Sequence, residues 1–256
     1  MFADVTPRHD PPRLLVVVAH PDDETFGCGS LLLHAAGEGW ETTVVCGSRG
    51  EAGEPAPGMD LGDRSLGEVR EDELRQAAAV LGVARLALLD FSDSGMEGEP
   101  PTGSLCGVDP AAVTDAVRAV AADVDPDVVV SLDGSDGHRD HVRVRDASMT
   151  VAAERGVPAY LQALPRSLMA RWAAHMAEVR PELEVYLRNA ELGTPDAQVA
   201  LVLDTSRHLE ARERAIAVHA SQTSPFEGLP PDLRRDFLTR EHLLRGSFGS
   251  GSSGSG

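Results

Sequence analysis

Lysine is absent from this 256-residue chain; all 23 basic Lys-or-Arg positions are arginine. That absence removes whole enzyme classes. A P-loop needs its lysine at the phosphates, a protein kinase needs its strand lysine, and a pyridoxal enzyme needs a lysine for the Schiff base. Positive charge is scarce overall, since 41 acidic residues leave a formal net charge of −18. Such a chain is repelled by nucleic acid and by anionic membrane surfaces, so no nucleic acid and no membrane are expected as partners. Long apolar runs are missing too; none approaches the ~20 residues of a membrane helix. Met1 to Arg13 lacks the charged-then-apolar pattern of a signal peptide, and Leu14–Ala19 is too short for its apolar core. Cysteine is limited to Cys28, Cys46 and Cys106, an odd and widely spaced set. They read as reduced thiols of a cytoplasmic protein, not as a disulfide framework.

Short apolar runs alternate with helical patterns over the first two-thirds of the chain. Strands are predicted at Leu14–Ala19, Thr42–Cys46, Leu86–Leu89 and Asp127–Leu132. Between them fall helices at about Gly29–Ala36, Ser65–Leu81, Asp109–Ala122 and His141–Arg155. The Ser65–Leu81 segment carries an apolar stripe of Leu66, Val69, Leu74, Ala77, Ala78 and Leu81. Asp109 followed by Pro110 is an N-cap with a first-turn proline. Gly47–Asp63 is rich in Gly and Pro and reads as irregular. This order predicts an α/β, Rossmann-like fold with a mainly parallel sheet flanked by helices. After about Val157 a helix near Arg166–Val179, a strand at Val199–Leu203 and a helix at Ser206–Ala220 form a C-terminal α/β extension. Residues 1–245 are read as one domain. The Gly/Ser-rich tail, 246–256, resembles a linker and is set aside.

Ligands of open parallel sheets bind beyond the carboxyl ends of the strands. Two such ends here are crowded with polar groups. The first strand runs into His20-Pro21-Asp22-Asp23-Glu24, and the fourth leads to His138-Arg139-Asp140-His141. His20 and Asp23, three apart on a strand-to-helix turn, can reach one ion, and His141 can supply a third ligand from the other loop. Two His and one carboxylate suit Zn²⁺ with a position left for water, whose pKa then falls towards ~7. The same set also suits Fe²⁺. Asp22 is the natural general base. His138, as imidazolium across the metal, would stabilise the oxyanion and protonate the leaving amine. Asp140 would hold a histidine in the right tautomer. Either cluster alone reads more simply as capping and surface residues. Their placement at two strand ends of one sheet favours a site.

Ala-His-Pro-Asp-Asp-Glu after a first strand, with a later Gly-His-x-Asp-His-Val, resembles the LmbE-like or PIG-L family of metal-dependent N-deacetylases. That family includes the N-acetylglucosaminyl deacetylases of mycothiol biosynthesis, whose character the chain resembles. The resemblance spans roughly Leu14 to Gln222. It implies a Rossmann-like sheet, zinc held by His20, Asp23 and His141, Asp22 as base and His138 at the oxyanion. It also implies a substrate-binding role for Arg70 and a sugar-hydroxyl contact for Asp93. Beside these stand a surface ion pair and a turn-forming Asp as the plainer readings. His219, in His219-Ala-Ser-Gln222, resembles a late motif of the family, and a helix-terminal His is the simpler account. Many family members have Pro where this chain has Arg139, a residue then expected to face the substrate mouth.

The reaction expected is removal of an N-acyl group from an acylated amino sugar or related polyol conjugate. An amidase on a thiol conjugate or natural-product glycoside is the alternative with the same metal. A non-catalytic metal- or ligand-binding module is the alternative of another class. A receiver-like module would need a lysine, which is missing, and a dinucleotide site would need G-x-G-x-x-G in the first turn, where Gly27-Cys28-Gly29-Ser30 stands instead. The sequence leaves a homo-oligomer open.

Overall fold

Leu14 to Val18 is an unbroken apolar run, and a strand of that kind needs cover on both faces. In the computed structural model, which describes residues 1–2, 5–180 and 192–246, it receives that cover. β1 (Arg13–Val18) lies inside a seven-stranded sheet, with a strand on either side. Leu14, Val16 and Val18 face one apolar cluster, and Leu15, Val17 and Ala19 face another. Each such buried side chain stabilises the fold by about 1.5–3 kcal/mol.

β2 (Glu41–Cys46), β3 (Arg85–Leu88), β4 (Val128–Leu132) and β5 (Ala159–Gln162) all run parallel to β1. The order is β3-β2-β1-β4-β5, followed by β7 (Arg240–Arg245) and then β6 (Leu201–Asp204), both antiparallel joins. Chain order therefore reverses between β1 and β4, which opens a crevice at their carboxyl ends. Helices α2 (Gly29–Gly37) and α3 (Leu66–Val80) cover one face, and α4 (Pro110–Val124) and α5 (Arg139–Arg155) cover the other. The expected mainly parallel α/β sheet with a C-terminal extension is what the chain forms.

Several boundaries follow from local chemistry. Asp109 caps α4 by accepting from the Ala111 N–H at 2.9 Å, with Pro110 in the first turn. Ser65 and Glu68 form a reciprocal capping box on α3. α5 begins two residues earlier than expected, because His138 acts as its N-cap. Its buried face is Val144, Ala147, Ser148, Val151 and Ala152, a helical spacing that presses it onto the sheet.

Among the described residues several elements were not foreseen. α1 (Asp23–Phe26) is a single turn after β1. β5 and β7 are short or charged, and α8 (Pro231–Thr239) runs directly into β7. The helix expected from Ser206 divides into a 3-10 turn, Ser206–His208, and α7 (Leu209–Val218). α6 (Arg166–Val179) holds the bounds read for it. The Gly/Ser-rich tail, apart from Gly246, lies outside the described residues. Among the described residues no helix is long and apolar enough to cross a membrane.

The capping box yields a stability prediction. Ser65→Ala leaves the first-turn donors of α3 without their side-chain acceptor and costs about 1 kcal/mol. Thermal unfolding should report a melting temperature about 2–4 °C lower, with activity unchanged.

Candidate functional site

The crevice between β1 and β4 receives side chains from both strand ends. β1 delivers His20, and the turn into α1 delivers Asp22 and Asp23. The loop after β4 and the first turn of α5 deliver Asp136, His138, Asp140 and His141. All but Asp140 line one cavity of about 510 Å³, together with Arg70 and Asp93. That volume is ordinary for a small-molecule site.

Three donor atoms converge there. His141 Nε2 lies 3.3 Å from His20 Nδ1 and 3.2 Å from Asp23 Oδ2, and His20 Nδ1 lies 3.5 Å from Asp23 Oδ2. A tetrahedral ion with bonds of about 2.0–2.1 Å has ligand-to-ligand edges of about 3.3–3.4 Å. The triangle therefore fits a divalent metal. Two further groupings of ligating atoms overlap it, His20 with His138 and His141, and His20 with Asp93 and Asp140. Each imidazole is held from behind by a carboxylate. Asp140 Oδ2 faces His20 Nε2 at 3.2 Å, and Asp136 Oδ2 faces His141 Nδ1 at 2.5 Å. Those contacts direct the opposite ring nitrogens, His20 Nδ1 and His141 Nε2, into the triangle.

Electrostatics follow the same pattern. Burial alone pulls His141 down, yet the charges and hydrogen bonds of Asp23 and Asp136 outweigh it and push it up to about 10. Burial likewise opposes the charged form of His20, but hydrogen bonds with Asp140, Asp23 and Asp93 hold it well above its ordinary value. Asp23 resists burial because His141 and His20 flank it, and it stays well below the usual carboxylate range. Without an ion, the carboxylates keep protons on the imidazoles.

Asp22 differs. Burial pushes its carboxyl up to about 7 against the pull of Arg70, with Asp23 adding to the rise. Its backbone is also unusual, with φ 116° and ψ −31° at a non-glycine residue. Such a conformation costs on the order of 1–3 kcal/mol and persists only where its surroundings impose it. Arg70 is buried and donates to Asp22 Oδ2 at 3.0 Å, to Gly50 O at 2.8 Å, and to Pro21 O. Gly50 suits that approach, since its φ is 65° and a Cβ there would meet the guanidinium at 2.4 Å.

The structure sharpens three expectations. His138 accepts the Asp140 N–H at Nδ1, 3.2 Å away. Burial and the charges of His20 and His141 push its pKa down, which favours the neutral ring over the imidazolium. Arg139 does not turn to the mouth. Its guanidinium donates to the carbonyls of Ser94, Gly95, Glu97 and Gly98 at 2.6–2.8 Å and so pins the loop that carries Asp93. His219 is buried behind the site, 2.8 Å from Glu24. Asp93 does reach the cavity, with Oδ1 3.5 Å from His20 Nε2. Asp136 had no assigned role, although an Asp two residues before the His138 cap is a visible signal.

Residues 15–152 match the PIG-L family, described as GlcNAc-PI de-N-acetylase. This chain belongs to the PIG-L family. A relative from Thermomonospora curvata, 1D-myo-inositol 2-acetamido-2-deoxy-alpha-D-glucopyranoside deacetylase, is 36% identical, over 93% of this chain and 92% of its own. Among solved structures, the N,N'-diacetylchitobiose deacetylase of Pyrococcus horikoshii matches with a TM-score of 0.62 at 20% identity, over 95% of this chain and 87% of that one. A 4-carboxy-2-hydroxymuconate hydratase from Pseudomonas putida matches with a TM-score of 0.62 at 18% identity, over 93% and 97%. The PIG-L segment ends within α5, so it contains both strand ends that build the crevice.

Two outcomes are expected. Ligation needs a free lone pair on His141 Nε2, and a raised pKa means that nitrogen is protonated below about 10. Metal uptake must therefore expel protons, and affinity must rise with pH, by up to about tenfold per unit for each proton displaced. Calorimetry in buffers of different ionisation enthalpy would count those protons. Asp136→Asn, which weakens the brace on His141, should lower metal affinity about 10–100-fold in a competition assay with a chelating dye.

Proposed function

We propose that this chain is a metal-dependent N-deacetylase acting on an N-acetylglucosamine-containing substrate, with a sugar–inositol conjugate as the preferred class. His20, Asp23 and His141 hold the ion, which we take to be zinc. The observation that carries this reading is the triangle of three ligand atoms, 3.2–3.5 Å on each side, in the wall of the cavity. A divalent ion there supplies Lewis-acid polarisation of the amide carbonyl and a more acidic water.

The protein's own groups do the rest. Asp22 takes the proton of the attacking water, and a carboxyl pushed up to about 7 is matched to that task near neutral pH. Arg70 steadies the Asp22 carboxylate and fixes its direction. His138, with its proton on Nε2, donates to the carbonyl oxygen as negative charge develops. Asp140 sets the His20 ring. Asp93 offers a carboxylate to substrate hydroxyls, on a loop held by Arg139. As the C–N bond breaks, the proton taken up by Asp22 passes to the leaving nitrogen, and the products are acetate and the free amine.

A second reading, an amidase on a conjugate with an apolar group, is favoured by the far wall of the cavity. The chain has only six Phe, two Trp and two Tyr, yet Phe26, Trp172, Phe226 and Phe237 all line this space.

Purified protein should contain one divalent ion per chain and release acetate from 2-acetamido-2-deoxy-glucopyranosyl inositol. Asp22→Asn should keep the ion and lose about 10²–10⁴ in kcat. His141→Ala should lose the ion itself. Full activity in the first variant, or full metal content in the second, would overturn the assigned roles. Bulky thiol or glycoside conjugates hydrolysed faster than the acetylated sugar would select the second reading.

A further inference from the structure

Residue 22 stands in a backbone conformation that few non-glycine residues adopt, so something must impose it. Its carbonyl accepts the N–H groups of Thr25 and Phe26 at 2.9 and 2.6 Å, the opening bonds of α1. Its N–H donates to Glu24 Oε2 at 2.9 Å. Both sides of the residue are thus tied, and the N–H tie fixes rotation about the N–Cα bond, which is φ itself. Glu24 is fully buried, and its other oxygen is occupied as well. Oε1 accepts Thr25 Oγ1 at 2.6 Å and faces His219 Nε2 at 2.8 Å. His219 is the C-cap of α7 and lies 195 residues further along the chain. Thr25 Oγ1 also lies 3.0 Å from His219 Nε2, so three buried groups close around one carboxylate.

The geometry assigns Glu24 and His219 as a pair of positioning residues that hold Asp22 in its strained backbone conformation and so aim its carboxylate into the cavity. His219 orients Glu24, Glu24 orients the Asp22 N–H, and Arg70 fixes the carboxylate from the opposite side. Neither Glu24 nor His219 lines the cavity, so neither touches substrate. The C-terminal third of the chain, which already lines the far wall of the cavity, thereby also reaches the polar end, whose ligand and base groups come from residues 20 to 141. Displacement of a reacting group by about 1 Å can cost ~10² in rate. This assignment rests on the reading of Asp22 as the base.

The test uses full-length, metal-loaded protein. In Glu24→Gln, one amide oxygen cannot accept from both Asp22 and His219. We expect kcat to fall about 10²-fold with KM and metal content unchanged. His219→Leu should behave alike, and His219→Gln, which restores an N–H donor, should recover most of the rate. A merely structural pair would lower the melting temperature of all three variants and leave kcat alone. The second readout needs no turnover. The Asp22 amide proton, bonded to a buried carboxylate, should resonate far downfield, exchange slowly, and move upfield in Glu24→Gln. Wild-type kcat in folded Glu24→Gln and His219→Leu would overturn the assignment. So would an Asp22 amide that exchanges at the rate of free solvent-exposed backbone in the unmutated protein, a measurement open even if every variant fails to fold. Failure of the base reading looks different: Asp22→Asn would then keep its rate while the amide signal still responded to Glu24→Gln.

Discussion

Three lone-pair donors aimed at one point repel one another unless something positive lies between them. His20 Nδ1, Asp23 Oδ2 and His141 Nε2 are in that position, buried and 3.2–3.5 Å apart. Five aspartates and one glutamate crowd the same region, and Arg70 is the fixed cation among them. A cation or a set of protons must therefore complete the arrangement, and the same carboxylates push both imidazoles above their ordinary values. Much else in the molecule follows from that need. The carboxylates behind each ring, the buried arginine and the strained residue 22 each hold a charge or a dipole where bulk water would scatter it.

The fold creates this convergence through one topological event. β1 and β4 are neighbours in space but 110 residues apart in sequence, and they run the same way. Their carboxyl ends consequently open side by side, and whatever follows each strand meets its counterpart. The helix after β4 starts at the crevice, so its first turn presents Asp140 and His141 inwards, and its N-cap is His138. A sheet buried on both faces cannot easily shift register, since a one-residue slip would turn every inward side chain outwards. The two apolar clusters hold the strand ends in place, and the polar contacts then orient the donor atoms on them.

The parts legible in the sequence were those whose signal is local. β1, β2 and β4 read as apolar runs because both faces are covered, and α3, α4 and α5 read from periodicity and caps. The two ligand clusters were visible because they sit directly beyond strands. What stayed hidden depends on distant partners. Asp136 lies in Gly-Ser-Asp-Gly, which reads as a turn; its meaning comes from a ring five residues later that folds back on it. Glu24 looks like any acidic residue in a first helical turn, and only His219 reveals it as buried. Arg139 reaches a loop more than 40 residues earlier, beyond any periodicity. β7 carries Arg-Glu-His-Leu-Leu-Arg and lies between β5 and β6 out of chain order, so neither its pattern nor its position announces a strand.

The likeness to a hydratase places a limit on what the architecture alone can mean. A sheet of this shape serves a protein that adds water across a double bond as well as proteins that remove acetyl groups. Both reactions begin with water losing a proton to a base, so a metal triangle beside a poised carboxylate does not separate them. They part at the second proton. Amide hydrolysis must deliver it to a nitrogen that is leaving, whereas hydration must deliver it to carbon. The groups that decide the reaction are therefore those that face the reacting atoms; on the reading proposed above, the proton taken up by Asp22 returns to nitrogen, while His138, whose Nδ1 accepts the Asp140 N–H, faces the carbonyl oxygen. Asp140 contacts two imidazoles at once, His20 through its side chain and His138 through its backbone N–H, and so couples the two strand ends.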